Sequence, residues 1–256
     1  MRVTSEHNPF IKRARRLLES GLERRKAGKI LLDGIHLCQS YAERFGLQGA
    51  TLIASDGGLK KAEIRSLLSR ETRAHLIEVP DALLALLSPV DTPAGVLAIV
   101  DTPRVTPKSG KPFWLLLDGI QDPGNLGSIL RTAAATGVTQ ARLSQNCADP
   151  WSPKCLRGGM GAQFLLPIED HANLATAMKD FKGLIIATVP RAGVVLHTLD
   201  LTGPLAVLFG GEGVGLPKQL TDKAGAIASI PLANGIESLN VAAAVAMVCY
   251  ERLRQM

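Results

Sequence analysis

The stretch Leu205-Ala206-Val207-Leu208-Phe209-Gly210-Gly211-Glu212-Gly213-Val214-Gly215-Leu216-Pro217 decides the fold. It opens on an apolar run without alternation, which fits a strand covered on both faces and hence a parallel sheet flanked by helices. In open sheets of that kind, ligands bind beyond the carboxyl ends of the strands. Gly210, Gly211, Gly213 and Gly215 let the backbone approach a ligand closely and adopt positive φ. The loop is no phosphate cradle, since it lacks a closing Gly-Lys-Ser/Thr and sets Glu212 where an anion would be repelled. Nor is it a dinucleotide fingerprint, because its glycines come late in the chain and run into Pro217. By itself it reads as a tight turn or as a ligand cradle.

Two other segments join an apolar run to a polar knot in the same way. Asn125-Leu126-Gly127-Ser128-Ile129-Leu130-Arg131-Thr132 follows the apolar strand 114–117 and opens a helix expected over 125–137. Asn125 fits its N-cap. Arg131, six residues on, is turned by about 600° and so lies on a different face. Its fork of donors suits a phosphate or an oxygen under attack, and equally a structural ion pair. Ile230-Pro231-Leu232 leads into Glu237-Ser238-Leu239-Asn240-Val241 and a helix expected over 238–252. There Ser238 reads either as an N-cap or as a site residue, with Asn240 supporting the first turn. No Gly-x-Ser-x-Gly elbow surrounds Ser128 or Ser238, which argues against a serine hydrolase.

Working outward, 140–143, 183–189 and 226–231 read as further buried strands, so 113–256 forms one α/β domain. The stretch 101–112, with Pro103, Pro107, Ser109, Gly110 and Pro112, reads as a linker. Before it, strands at 29–33, 51–54, 75–79 and 96–100 alternate with helices at 36–45, 60–68 and 82–87, giving a small α/β domain over 1–100. A helix from Phe10 onward carries Phe10, Ala14, Leu17, Leu18 and Leu22 on one face.

The chain of 256 residues is 46% hydrophobic and 20% charged, a composition that excludes disorder as the default. Its formal charge of +6 is unevenly spread. Residues 1–30 hold nine Lys or Arg against Glu6, Glu19 and Glu23, and beyond them the signs balance at 20 each. A basic helix suits a polyanion, whose neutralised phosphates release counterions, and it equally describes a solvated helix face. The positive stretch runs into Leu31-Leu32-Asp33-Gly34 rather than a long apolar segment, so no signal peptide is read, no membrane span is expected, and a cytoplasmic location is. Cys38, Cys147, Cys155 and Cys249 are scattered, as are the five histidines, and neither a metal site nor a disulfide framework is expected. Trp151, between Pro150 and Pro153, is the aromatic expected to be exposed, for base stacking or for sealing a dimer.

Taken together, Asp122-Pro123-Gly124-Asn125-Leu126-Gly127 with Arg131, then 209–216, then 230–242 resemble in order and spacing the signature motifs of the SpoU (TrmH) family of RNA ribose 2′-O-methyltransferases, in the SPOUT superfamily. Thr4-Ser5, Asn8-Pro9-Phe10-Ile11-Lys12 and Thr92-Pro93-Ala94-Gly95-Val96 resemble, less tightly, that family's substrate-binding extension. Gly158-Gly159 departs from the bulkier or Ser-containing pattern of the family, a change expected to loosen the local turn. The resemblance implies an α/β SPOUT-type domain with a parallel sheet and a deep C-terminal trefoil knot, working as a homodimer. It implies S-adenosylmethionine held by Phe209, Gly210, Gly211, Gly213, Ile230, Leu232, Ser238 and Leu239. Arg131 is then the activator of the ribose hydroxyl, with Asn125, Glu212, Ser238 and Asn240 building the site. Lys12, Arg13, Arg15 and Arg16, together with Arg131, are the expected RNA contacts. Large-subunit ribosomal RNA is the expected substrate. Transfer RNA methylation, a non-catalytic RNA-binding or ribosome-assembly role, and more remotely a nicotinamide-dependent oxidoreductase stand as the alternatives.

Overall fold

The computed structural model describes residues 1–107 and 110–256; Lys108 and Ser109, within the expected linker, lie outside the described residues. The chain divides into two compact units. One comprises Met1–Arg104 with Trp151–Phe164, the other Val105–Pro150 with Leu165–Met256.

In chain order the first part contributes α1 (Pro9–Glu19), α2 (Gly21–Ala27), β1 (Lys29–Asp33), α3 (Ile35–Phe45), β2 (Thr51–Ser55), α4 (Ala62–Arg70), β3 (His75–Val79), α5 (Asp81–Ala85) and β4 (Val96–Asp101). There follow β5 (Phe113–Asp118), α6 (Pro123–Ala135), β6 (Gln140–Leu143), α7 (Pro153–Gly159), β7 (Ile168–Glu169), α8 (Leu174–Asp180) and β8 (Leu184–Thr188). The chain closes with β9 (Val194–Val195), β10 (Leu205–Gly210), α9 (Lys218–Thr221), β11 (Ala226–Ser229) and α10 (Val241–Gln255).

The first unit is built on a mixed four-stranded sheet in the order β1-β4-β2-β3. Strand β4 runs antiparallel to both neighbours, Leu31 opposite Ile99 and Thr51 opposite Ile99, while β2 and β3 are parallel. The two-residue period of a strand sorts its apolar residues onto two cores. Ile30, Leu32 and Leu52 pack with Cys38 and Tyr41 of α3 and Ile64 of α4, whereas Leu31, Ile53 and Ile99 pack with Ile11, Ala14 and Leu17 of α1. Leu156 and Phe164 complete the first of these cores, which is why Trp151–Phe164 groups with this unit rather than with the sequence around it. Trp151 is half-buried against the same core, correcting its expected exposure: its indole is used in packing. Helix α1 ends at Glu19, where Ser20 caps α2 by accepting from the Glu23 amide. Leu22 therefore leaves the apolar face expected of it and is 52% exposed. Arg24 is buried instead, donating to the carbonyls of Leu17 and Leu18 and so closing the end of α1.

The second unit is a seven-stranded sheet in the order β7-β6-β5-β10-β8-β11-β9, with every pair parallel. This is the parallel sheet expected of a SPOUT-type domain, and its order is consistent with the trefoil-knotted arrangement. Leu208 lies beside Leu116, and Gly210 beside Asp118, so the ends of β10 and β5 are level. One face is covered by Leu174, Ala177, Met178 and Phe181 over Leu116, Ala206 and Leu208. Helices α6 and α10 pack on each other, and α10 reaches β10. The end of α10 is tied down by Arg252, which donates to the carbonyls of Leu201 and Gly203, and by Gln255, which accepts from the Leu201 amide. No helix is long and apolar enough to cross a membrane among the described residues.

Candidate active site

The carboxyl ends of β5, β8, β10 and β11 open onto one region, and the chemistry-bearing residues stand on the loops that leave them. Beyond β10, Gly215 donates to the Gly211 carbonyl at 3.0 Å and folds 211–215 into a closed turn. Two glycines are enforced by space: a Cβ on Gly210 would lie 2.3 Å from the Gly215 carbonyl carbon, and one on Gly211 2.1 Å from the Gly119 oxygen. Gly213 and Gly215 are enforced by φ, at +83° and +69°. With no side chain on either backbone, the turn seats Glu212 between the start of α6 and the start of α10.

A three-membered polar network joins the three motifs. Asn125 Nδ2 donates to Glu212 Oε1 at 2.7 Å. Asn240 Nδ2 donates to the same oxygen and to Asn125 Oδ1, both at 3.1 Å. The caps differ from those expected, and the difference makes the network possible. Helix α6 begins at Pro123 with Asp122 as its N-cap, accepting from the Asn125 amide at 2.7 Å. The Asn125 side chain, relieved of capping, turns to Glu212. Helix α10 begins at Val241 rather than 238, with Asn240 as its cap, accepting from the amides of Ala242 and Ala243. One Asn240 side chain thus caps with its oxygen and bridges with its nitrogen. Glu212 Oε2 has no hydrogen-bond partner among the described residues.

A cavity of about 540 Å³ opens beside this network. It includes every residue expected to hold the cofactor: Phe209, Gly210, Gly211 and Gly213 on one side, Ile230, Leu232, Ser238 and Leu239 on the other. Glu212 borders it as well. Ser238, free of capping, lines this cavity. Thr188, Val189 and Pro190 form a wall that sequence reasoning missed; its signal was the end of β8, a strand already expected there. The cavity has bare glycine backbone on one side and branched apolar side chains on the other, which suits a flat heteroaromatic group with polar edges. These residues fit S-adenosylmethionine.

Arg131 is not drawn into the network. It is exposed on α6, makes no hydrogen bond or ion pair among the described residues, and does not line this cavity. Lys12, Arg13, Arg15 and Arg16 are all exposed on α1, opposite buried Ile11, Ala14 and Leu17. Arg15 is engaged with Glu19 at 2.8 Å; the side chains of Lys12, Arg13 and Arg16 are unpaired among the described residues. At the Gly158-Gly159 departure a Cβ on Gly159 would meet the buried Gln163 side chain, Oε1 at 2.3 Å, so a larger residue there requires that side chain to shift. No group of three metal-ligating side chains occurs among the described residues.

Residues 112–250 match the model of the SpoU rRNA Methylase family, and residues 8–98 that of the MRM3-like substrate binding domain. The chain is 36% identical to an uncharacterized tRNA/rRNA methyltransferase of Synechocystis, over 99% of this chain and 93% of the other. It is 28% identical to the 23S rRNA (guanosine(2553)-2′-O)-methyltransferase of Bacillus subtilis, over 91% and 92%. The crystal structure of the SpoU methyltransferase AviRb from Streptomyces viridochromogenes, in complex with the cofactor AdoMet, superposes with a TM-score of 0.88 at 27% identity, covering 97% of this chain and 98% of the other.

Proposed function

The chain belongs to the SpoU rRNA methylase family, and on that premise we propose how it works: as an S-adenosylmethionine-dependent methyltransferase acting on a ribose 2′-hydroxyl of ribosomal RNA, of the large subunit. The observation that carries the reading is the Asn125–Glu212–Asn240 network at the rim of the cavity that fits the cofactor.

When bound, S-adenosylmethionine supplies an electrophilic methyl on a sulfonium, so the protein's task is placement and charge stabilisation. Phe209, the glycine turn, Ile230, Leu232, Ser238 and Leu239 hold it. Asn125 and Asn240 fix Glu212, which keeps one carboxylate oxygen free to accept from the ribose hydroxyl. An alcohol is a poor nucleophile at neutral pH, and a cation near the developing oxyanion lowers the barrier. Arg131 provides that cation. Because guanidinium stays charged, it acts by electrostatics and not as a base.

The protein works as a homodimer through its second unit. Support comes from the outer face of α10, where Met247 is 49%, Tyr250 68% and Leu253 46% exposed. It comes also from Arg131, which does not line the cofactor cavity of its own chain and makes no hydrogen bond or ion pair among the described residues. Lys12, Arg13, Arg15 and Arg16 supply salt-dependent attraction for RNA. The protein acts in the cytoplasm.

The test is methyl transfer from labelled S-adenosylmethionine to ribosomal and to transfer RNA, with 2′-O-methyl positions mapped in cells with and without the gene. A site lost from large-subunit RNA is the expected result. A site lost from transfer RNA moves the substrate, and no transfer to any RNA leaves only a binding protein.

A further inference from the structure

Arg252, in the last turn of α10, is 3% exposed and meets no carboxylate among the described residues. Its guanidinium donates to the carbonyls of Leu201 and of Gly203, the latter at 2.9 Å, and lies over the Phe113 ring, 4.6 Å from the centroid. Burial works against its charge, and a cation held by neutral acceptors alone costs more to bury than an apolar side chain of the same volume. What it supplies is position, because a hydrogen bond fixes distance and direction where apolar burial fixes neither. Given the methyl-transfer reading, on which this inference rests, we propose that Arg252 is a positioning residue of the reaction: it sets how far α10 stands along its own axis, and so holds Asn240 at bridging distance from Glu212.

Helix α10 and strand β10 lie side by side and run in opposite directions, since the start of the helix meets the turn after β10 and its end meets the loop before it. They are struts of similar length. The helix rises about 18 Å from Asn240 to Arg252, and the strand spans about 17 Å from Leu205 to Gly210. Each pair of ends carries a polar tie. At the far end Gln255 adds to Arg252, accepting from the Leu201 amide at 2.8 Å and donating to the Leu199 carbonyl at 3.1 Å. At the near end the tie is Asn240. The lead into the helix does little to fix it, because residues 233–238 are exposed. The buried side chains between the ties are Val241, Val245, Val248 and Cys249, all short and apolar. Both Asn240 bridges measure 3.1 Å, close to the upper limit for N–H···O of about 3.2 Å, so an axial slip of about half an ångström away from Glu212 opens them. Glu212 would then be held by Asn125 alone, and the oxygen it keeps for the ribose hydroxyl would lose its fixed place.

The experiment is a double-mutant cycle on the full-length protein. Arg252→Met keeps apolar bulk and removes the far tie, while Asn240→Ser keeps a capping oxygen and removes the bridge. Methyl-transfer kcat, KM for S-adenosylmethionine and the urea midpoint are measured for both single variants, the double variant and the unaltered protein. Arg252→Met alone is expected to lower kcat about tenfold and to change KM by less than about twofold. In the Asn240→Ser background it is expected to lower kcat by less than about twofold, because the contact it serves is already gone. The urea midpoint is expected to fall equally in both backgrounds, as for sites about 18 Å apart. Equal losses of kcat in both backgrounds, or an unchanged kcat in the single variant, overturn the proposal and leave Arg252 to stability alone. If Arg252→Met does not fold, Gln255→Met enters the same cycle, with an expected loss of about threefold and the same criterion. A readout without RNA accompanies the cycle: the Asn240 side-chain amide resonances, assigned by their absence in Asn240→Ser, are expected to shift in Arg252→Met. Unshifted resonances overturn the proposal while methyl transfer stands. Absence of transfer to any RNA by the unaltered protein removes the reading beneath it, and the proposal with it.

Discussion

Both units are α/β, with central strands covered on both faces, yet they differ in how binding surfaces arise. In the first, β4 runs against β1 and β2 while β2 and β3 are parallel, so each edge mixes strand ends of both polarities. Its accessible chemistry is carried on helix exteriors, as on α1. In the second, all pairs are parallel, and the carboxyl ends of four strands deliver Asp118, Thr188, Gly210 and Ile230 to one edge. Uniform strand polarity thus gathers loops of one kind at one edge, where an open α/β sheet binds its ligands.

If that is right, the crevice is intolerant where its loops touch backbone to backbone. Gly211→Ala sets a Cβ 2.1 Å from the Gly119 oxygen, and neither atom belongs to a mobile side chain. Turnover is expected to fall by about 100-fold or more through displacement of Glu212. Gly28→Ala, at φ +60° in the first unit with nothing within 4 Å, is expected to lose only about 1 kcal/mol of stability, with turnover retained. Methyl-transfer rates and denaturant melts of the two variants check the contrast, and equal losses of activity would break it.

The next effect asks whether the crevice is complete within one chain. Arg131→Ala and Glu212→Ala are each expected to be inactive as pure dimers. Unfolded and refolded together in equal amounts, they form half heterodimers, each with one intact site if Arg131 serves its neighbour, so activity is expected to return to about a quarter of the unaltered level. No recovery would assign Arg131 to its own chain or to a structural role.

On the surface-type unit, single residues should count for less. Neutralising Lys12, Arg13 and Arg16 is expected to weaken RNA binding and flatten its salt dependence by up to about two to three units of log–log slope. Arg15→Ala alone should change the slope less than Arg13→Ala, because Glu19 already neutralises Arg15. Titrations of RNA affinity against salt give both slopes, and an unchanged triple variant would return the cluster to the solvated face.

The longer strands were legible because most are apolar runs bounded by Gly, Pro or Asp, and the three polar knots because each follows such a run; the two-residue edge strands β7 and β9 were not read, being too short to show a pattern. The caps were misread by two or three residues, although Asp122-Pro123 carried the signal: a proline at the first helical position wants its cap just before it. Asn240 outcompetes Ser238 because its amide both caps and bridges, which no local rule reveals. That Leu156 and Phe164 belong to the first unit's core was not legible, since an apolar residue does not announce which sheet it joins. The meeting of the end of β5 with the glycine turn was hidden for a related reason: they are far apart in sequence.

The smallest effect separates the units by stability, for which the chain carries its own probes, Trp151 in the first and Trp114 in the second. Asp33, at the end of β1, accepts from Ser88 through Oδ2, while its buried Oδ1 has no partner. Burial raises its pKa, against the opposing effects of the Ser88 hydrogen bond and of Arg157. Between the unfolded value, about 3.9, and the raised folded value, the folded state holds more protons, so stability rises as pH falls through that window and the gain is lost again as pH rises above it. Asp81, whose pKa is lowered by hydrogen bonds from Ser55 and Gly57, acts in the opposite sense and below the unfolded value, so the windows do not overlap. In a Trp114→Phe background, Trp151 emission followed in urea at stepped pH is expected to show the first unit strengthening on mild acidification. Asp33→Asn is expected to abolish that rise. A rise that survives the substitution would place the titrating group elsewhere, and a fall would mean that Asp33 is better solvated than its missing partner implies.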